Sequence, residues 1–252
     1  MLSVVYSGTV KDFLRPGRVV AWTAAAVVIG VLARVWVNMH GVEDVAMAYG
    51  EIVKELVFRF VALAAAIFAP MVVSQEVEQK TIVYLLTRAV PRPVMLLGRL
   101  LAAFTATSLV AVLVNVCAGV GVMGPSVLAH RSFLPDMGLA ILGAASYCSL
   151  FVMLSLLVNK ALVWCLLFAF GWETFVPAMA GMAGISIRTH LANLQPDPKR
   201  VDEVQNAVQK MLSTEIAPAV SWTALLGSAF VLAGLAAWWF SLKEFAPRED
   251  SD

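Results

Sequence analysis

Six apolar runs, separated by more polar segments, constrain this chain more than any other feature of its sequence. Each run is close to the roughly 20 residues that a helix needs to cross the hydrocarbon core of a bilayer. The chain is 60% hydrophobic and 14% charged, whereas soluble domains carry about 25% charged residues. The sequence therefore predicts an all-α integral membrane protein with six transmembrane helices, at about 19–37, 56–75, 96–122, 137–158, 161–185 and 219–240.

Composition excludes several other classes. No internal repeat or low-complexity tract divides the chain, so residues 1–252 are predicted to form a single transmembrane domain. The net charge is +1, and no basic tract is present, so we expect no nucleic acid among its partners. We expect no metal site, because the cysteines lack metal-ligand spacing and are interpreted as small buried hydrophobes: Cys117, Cys148 and Cys165.

Two amphipathic segments are predicted beside the spans. Residues 1–17 are expected to lie on the membrane surface, with basic side chains in water and with lipid contacts through Leu2, Val5, Tyr6, Phe13 and Leu14. An ordinary solvated N-terminus is the alternative. The polar segment 186–218 is expected on the outer side, with an amphipathic helix at about 200–213. A passive connector is the alternative for this outer segment.

The polar stretch 75–99 lies between the second and third apolar runs. Its middle has helical spacing, because one face would carry Ile82, Leu85, Leu86 and Ala89. Prolines at 91 and 93 end this helix, since proline disfavours helix at the residue before it. The dense basic cluster at 80–99 lies in a short connection, which the positive-inside rule places in the cytosol. Both termini are then predicted to be cytosolic.

This stretch resembles the cytosolic loop of ABC-2-type transporter permeases. In that family an acidic pair precedes a Gly-Thr step, and Leu-Leu-Thr, Pro-x-x-Arg and Leu-x-Gly-Lys or Leu-x-Gly-Arg follow. The matching residues are Glu76, Glu78, Thr81, Leu85, Leu86, Thr87, Arg92, Leu96, Gly98 and Arg99. Lys80 replaces the family's usual glycine, and Ala89 replaces its usual proline. An ordinary basic loop between two membrane helices is the alternative interpretation.

The resemblance implies the membrane subunit of an ABC exporter in a bacterial-type cytoplasmic (inner) membrane. The chain has no GxxxxGK[ST] motif, so it is not expected to be an enzyme, and a separate ATPase subunit would bind ATP and Mg²⁺. The chain would pair with itself or with another permease among membrane lipids. A cytosolic coupling helix would contact the ATPase through Glu76, Glu78, Thr81, Leu85, Leu86 and Arg92. The alternatives are a secondary transporter or channel and a non-transporting membrane anchor subunit.

One carboxylate is predicted deep in the membrane. Glu173 is about twelve residues into the fifth run, roughly 18 Å from its start. Charged residues at that depth usually face the bundle interior or a wet cavity, and Pro177 predicts a kink beside it. Glu173 and Pro177 are therefore candidates to line a translocation path. A neutral, hydrogen-bonded Glu173 that only joins helices is an equal alternative. Glu55 and Arg59, four residues apart, are predicted to form a local helical ion pair.

Overall fold

The computed structural model describes residues 2–40, 44–78, 91–179, 182–196 and 216–242. These ranges contain no β-strand, which confirms the predicted all-α class. Their main α-helices, in chain order, are α1 (Leu2–Phe13), α2 (Pro16–His40), α3 (Val45–Ile52), α4 (Phe58–Glu78), α5 (Arg92–Met123), α6 (Phe133–Leu157), α7 (Ala161–Leu167), α8 (Ile187–Leu194) and α9 (Pro218–Leu242).

Two π-helical turns interrupt the α-helical geometry. Val53–Val57 joins α3 to α4 without a break, and Phe168–Trp172 follows α7 directly. One α-helical turn, Glu173–Phe175, comes after the second π-turn and is followed by a 3₁₀ turn, Val176–Ala178. π-Turns are rare and frequently occur at functional sites, so the residues beside these two turns are candidates for a functional site.

Five helical stretches of the described chain are long and apolar enough to cross a membrane, as the predicted membrane class requires: Pro16–Met39, Val45–Val73, Pro93–Leu128, Phe133–Leu157 and Pro218–Leu242. The second of these begins at Val45, eleven residues before the predicted start at 56. The fifth predicted run, 161–185, forms a shorter apolar helix, Ala161–Phe175, and then leaves α-helical geometry around Pro177. A sixth full-length span is therefore not confirmed.

Helix α5 occupies the centre of the bundle and packs against α1, α2, α4, α6 and α9. Its contact faces carry small residues, among them Ala102 and Ala106, which are fully buried. The contact with α2 is close, because a Cβ atom on Gly121 would overlap the carbonyl oxygen of Gly30. A Cβ atom on Gly30 would in turn lie 2.6 Å from the carbonyl oxygen of Cys117. Small residues let helix backbones approach closely in lipid, where packing rather than hydrophobic exclusion drives association.

The N-terminal helix α1 packs on protein more than the sequence predicted. Phe13 was expected to contact lipid, but it is 1% exposed, and its ring lies 5.4 Å from that of Phe68. The Tyr6 hydroxyl lies 3.1 Å from the Thr105 hydroxyl on α5. The ring contact and the hydroxyl contact hold α1 against the bundle. Amphipathic periodicity alone does not distinguish a helix face that contacts lipid from one that contacts protein.

Hydrogen bonds bring three helix ends together. The Gln195 amide donates to the carbonyl of Gly50 at 3.1 Å, and the Asn193 amide donates to the carbonyl of Ile216 at 2.8 Å. The C-terminal end of α8, the helix α3 and the start of α9 therefore lie at one end of the bundle. Because α2 leads into α3 and α9 leads away from Ile216, the start of α2 and the end of α9 point to the opposite end of the bundle.

Candidate functional site

The predicted deep carboxylate, Glu173, is enclosed by protein. It is 1% exposed and directly follows the π-turn Phe168–Trp172. Its Oε2 accepts a hydrogen bond from the Ser186 hydroxyl at 2.5 Å and another from the Arg188 backbone N–H at 3.1 Å. Its Oε1 accepts from the Ile187 backbone N–H at 3.2 Å. The two backbone N–H groups can only donate, so both carboxyl oxygens of Glu173 serve as acceptors.

Glu173 thereby stabilises the start of α8. Ser186 is the N-cap residue of this helix, with an extended backbone, and its hydroxyl oxygen accepts from the Thr189 backbone N–H at 3.2 Å. The first backbone N–H groups of a helix lack intrahelical partners and carry partial positive charge. The Ser186 side chain satisfies one of them, and the Glu173 carboxylate satisfies two more from outside the helix. The break around Pro177 lets the chain turn back, so that α8 begins beside Glu173.

A second carboxylate, Glu55, joins two arginines. Arg59 Nη2 lies 2.9 Å from Glu55 Oε2, and Arg188 Nη2 donates to Glu55 Oε1 at 3.2 Å. The predicted local pair of Glu55 and Arg59 is confirmed. Sequence reasoning missed Arg188, which comes from a segment 133 residues away and carries no local signal of this contact. Arg188 therefore links the two carboxylates, through its backbone N–H to Glu173 and through its guanidinium to Glu55.

The exposure of this cluster is uneven. The Arg188 side chain is 12% exposed, whereas those of Glu55 and Arg59 are 44% and 40% exposed. Arg59 is the middle residue of the apolar span Val45–Val73, and Glu55 lies in the π-turn of the same span. Charged residues within spans almost always face a bundle interior or a water-filled cavity rather than lipid. This face of α4 therefore requires water or further protein against it.

Stacked aromatic rings hold the π-turn that precedes Glu173. Tyr147 stacks on Phe151 with centroids 5.8 Å apart, Phe151 meets Phe168 edge-on at 5.8 Å, and Phe168 stacks on Trp172 at 5.7 Å. The Tyr147 hydroxyl is fully buried and interacts electrostatically with Glu173, but the two groups do not meet the geometric criteria for a hydrogen bond. The series runs from α6 to Trp172, the residue before Glu173, so it packs the π-turn against α6.

A polar network ties α8 to α9. His190 Nε2 lies 2.9 Å from the Gly184 carbonyl, and His190 Nδ1 lies 3.0 Å from the Ser221 hydroxyl. A carbonyl only accepts, so Nε2 carries the proton, and in the neutral ring Nδ1 accepts from Ser221. The Asn193 amide donates to the same Ser221 oxygen at 2.9 Å. Helix α8 is thus held by α9 on one side and by Glu173 and Glu55 on the other.

The predicted ATPase-coupling residues are placed only in part. Glu76 and Glu78 lie in the last turns of α4, and Arg92 is the first residue of α5. Thr81, Leu85 and Leu86 lie outside the described residues, as does the predicted outer helix at about 200–213. Within the part of the chain that the structure describes, no group of three or more His, Cys, Asp or Glu side chains is arranged to hold a metal ion.

Fold and site together define a helical integral membrane protein with a charged cluster inside its spans. No protein-family model matches the sequence, and no protein of curated function matches it.

The pairing of Glu55 with Arg188 is testable by a double-mutant cycle. We expect Glu55→Gln and Arg188→Gln to show a favourable coupling energy of about 1 kcal/mol, limited by the partial exposure of Glu55. Unfolding free energies from reversible SDS titration in mixed micelles provide the measurement. The control cycle is Asp12→Asn with Arg15→Gln, an ion pair whose side chains are 51% and 68% exposed and whose coupling should be near zero. Equal coupling energies in the two cycles would show that the Glu55–Arg188 contact stabilises the fold no more than an exposed surface ion pair does.

Proposed function

We propose that this chain is the membrane-spanning permease subunit of an ABC exporter of the ABC-2 type, driven by a separate ATPase subunit that binds ATP and Mg²⁺. The observation that carries the transport part of the proposal is the half-exposed pair of Glu55 and Arg59 within an apolar span. A charged face inside a span is costly in lipid and is characteristic of substrate or ion paths.

A second subunit would cover this face. Two copies of the chain, or this chain and another permease, would enclose a path lined by Glu55 and Arg59. In this arrangement Glu173 positions α8 beside the path, and the break at Pro177 lets α8 return into the bundle. Glu173 would then act on the path through Arg188, which contacts both carboxylates.

We further infer six crossings in the bacterial-type inner membrane, with both termini cytosolic. Segment 161–196 would make the fifth crossing in broken form, because α7 starts where α6 ends and Asn193 lies beside Ile216, just before α9. The start of α2 and the end of α9 then share a side. The basic cluster at 80–99, in a short connection, assigns that side to the cytosol.

The connection between α4 and α5 could transmit a movement of an ATPase to both helices. Both helices are long, they pack against each other, and they run directly into the two ends of segment 79–91. A displacement of this segment would tilt both helices as rigid bodies. Tilting between two arrangements is the physical basis of alternating access, provided that nucleotide favours one of them.

Truncating the proposed coupling helix tests the assignment. Leu85→Ala combined with Leu86→Ala removes several methylenes, each worth about 0.8 kcal/mol when buried at an interface. We expect ATPase binding to weaken by roughly two orders of magnitude, at about 1.4 kcal/mol per tenfold. Glu76→Ala with Glu78→Ala should act through electrostatic docking and depend on salt. Pull-down of the ATPase from detergent, with ATP hydrolysis measured alongside, gives the result.

Two exposed leucines of α5 supply the matched control. Leu101→Ala with Leu109→Ala removes the same number of atoms from positions 45% and 50% exposed, and it should leave ATPase binding unchanged. A Leu85/Leu86 double variant that inserts, retains the ATPase and supports stimulated hydrolysis would falsify the coupling assignment.

A secondary transporter or channel is the second candidate, and the structure adds an observation in its favour. Transporters of that class use broken helices and charged residues at the midplane. Here the helix after α7 is broken next to Glu173, and Glu55 and Arg59 lie in the adjacent span. A wild-type chain that recruits no ATPase, yet carries substrate into vesicles along an ion gradient, would establish this alternative; a chain that does neither would fit the non-transporting anchor.

A further inference from the structure

An apolar groove lies between α2 and α5, away from the charged cluster. Its volume is about 350 Å³, within the range of small-ligand sites. Residues of α2 and α5 line it, among them Val27, Gly30, Val31 and Arg34 of α2 and Val120 and Gly121 of α5. The residues from α2 follow one helical face, at i, i+3, i+4 and i+7, so the groove runs along the helix axis.

The groove arises from the close helix crossing. Gly30 and Gly121 bring the two backbones together and supply no side chains of their own. The larger residues on either side stand away from the contact, and Val31 and Val120 are 56% and 47% exposed. Their apolar surfaces face the outside of the bundle at membrane depth, where a hydrocarbon chain fits against them.

Arg34 closes one end of the groove with a positive charge. It is exposed and has no ion-pair or hydrogen-bond partner within the described part of the chain. It lies 18 residues after Pro16, about 27 Å along α2, and therefore near one end of a hydrocarbon core about 30 Å thick. A long basic side chain at that level reaches the headgroup region, and the guanidinium geometry suits bidentate contact with phosphate.

We propose that this groove binds a phospholipid, with an acyl chain between α2 and α5 and the phosphodiester on Arg34. Along the groove a charged group is followed by apolar groups, as in a phospholipid. The Arg34 cation lies at headgroup level, and the apolar walls continue from Val31 to Val27, about 6 Å further towards the bilayer centre. Charge complementarity selects a phosphate-bearing lipid over a neutral one. This site is independent of the proposed ATPase partner.

Native mass spectrometry of the purified full-length chain, titrated with dioleoylphosphatidylglycerol, tests the proposal. We expect one phospholipid to bind more tightly than the rest. Arg34→Gln should weaken that adduct about tenfold, and Val31→Trp, which fills the groove, should remove it. With the wild-type chain, dioleoylglycerol should bind more weakly because it lacks the phosphate, and inorganic phosphate should not compete because it lacks the chain.

Each variant has a matched control. Val28→Trp alters a residue of α2 that is also 56% exposed but does not line the groove, and Arg131→Gln removes an exposed arginine elsewhere. Both should keep the tight adduct. The proposal is overturned if Val28→Trp and Val31→Trp bind lipid equally, or if the wild type prefers dioleoylglycerol. It is also overturned if Val31→Trp instead abolishes a dimer while leaving lipid binding unchanged, because the groove would then be an interface between two copies.

Discussion

Replacing Gly121 by alanine is expected to prevent stable packing of α2 on α5. The new methyl group would overlap the carbonyl oxygen of Gly30, and a backbone atom cannot rotate away as a side chain can. The helices would have to separate along their crossing, with loss of the packing that drives helix association in lipid. Overpacked cores typically lose 1–3 kcal/mol, and we expect a loss of about 3 kcal/mol or more for this backbone clash. Size-exclusion chromatography and thermal unfolding in detergent measure it.

Gly138→Ala is the control for this substitution. Gly138 is an exposed residue of α6, and a Cβ atom there would meet nothing within 4 Å. Alanine favours helix over glycine by up to about 1 kcal/mol, so this variant should be as stable as the wild type or slightly more so. If Gly121→Ala unfolds at the same temperature as Gly138→Ala, the helices do not cross as closely as the structure has them.

Hydropathy located most spans because each is a long run of one chemical character. The helices at 16–39, 93–128, 133–157 and 218–242 each contain most of a predicted run. The start of the second span was missed, because Glu51, Lys54 and Glu55 lower the local hydropathy. A hydropathy average counts each of these residues as an unpaired charge in lipid. It has no information on Arg188, which approaches Glu55 from a distant part of the chain.

The fifth run shows a different limit. Apart from Glu173 and Thr174 the run is apolar as far as position 185, which predicts one spanning helix with a kink at Pro177, yet the α-helical turn ends at Phe175. The proline is a local signal of a bend, and Ser186 is a favoured N-cap residue for a new helix. The return of that helix to Glu173 has no such signal, since this contact joins residues 13 apart across a turn. Periodicity describes single elements and not the packing between them.

Removing the Glu173 carboxylate is expected to be the most damaging single change at the candidate site. Glu173→Ala leaves the Ser186 hydroxyl and the backbone N–H groups of Ile187 and Arg188 without their acceptor. A buried donor without a partner costs about 1–3 kcal/mol, so the three together should cost on the order of 3 kcal/mol or more. The start of α8 would lose its hydrogen bonds to the turn Glu173–Phe175, and Arg188 would lose its position beside Glu55. Thermal unfolding and limited proteolysis in detergent measure both effects.

Two variants separate this positioning role from others. Thr174→Ala changes the adjacent, exposed residue and should leave stability unchanged. Glu173→Gln keeps one acceptor oxygen but turns an amide NH₂ towards backbone donors, so its stability should fall between those of the wild type and the alanine variant. If Glu173→Gln folds and, with the proposed ATPase partner, supports normal ATP hydrolysis across a range of pH, Glu173 positions α8 and does not serve the proposed path. If Glu173→Ala unfolds at the temperature of Thr174→Ala, the carboxylate does not hold α8, and the hydrogen bonds assigned to it carry no net stability.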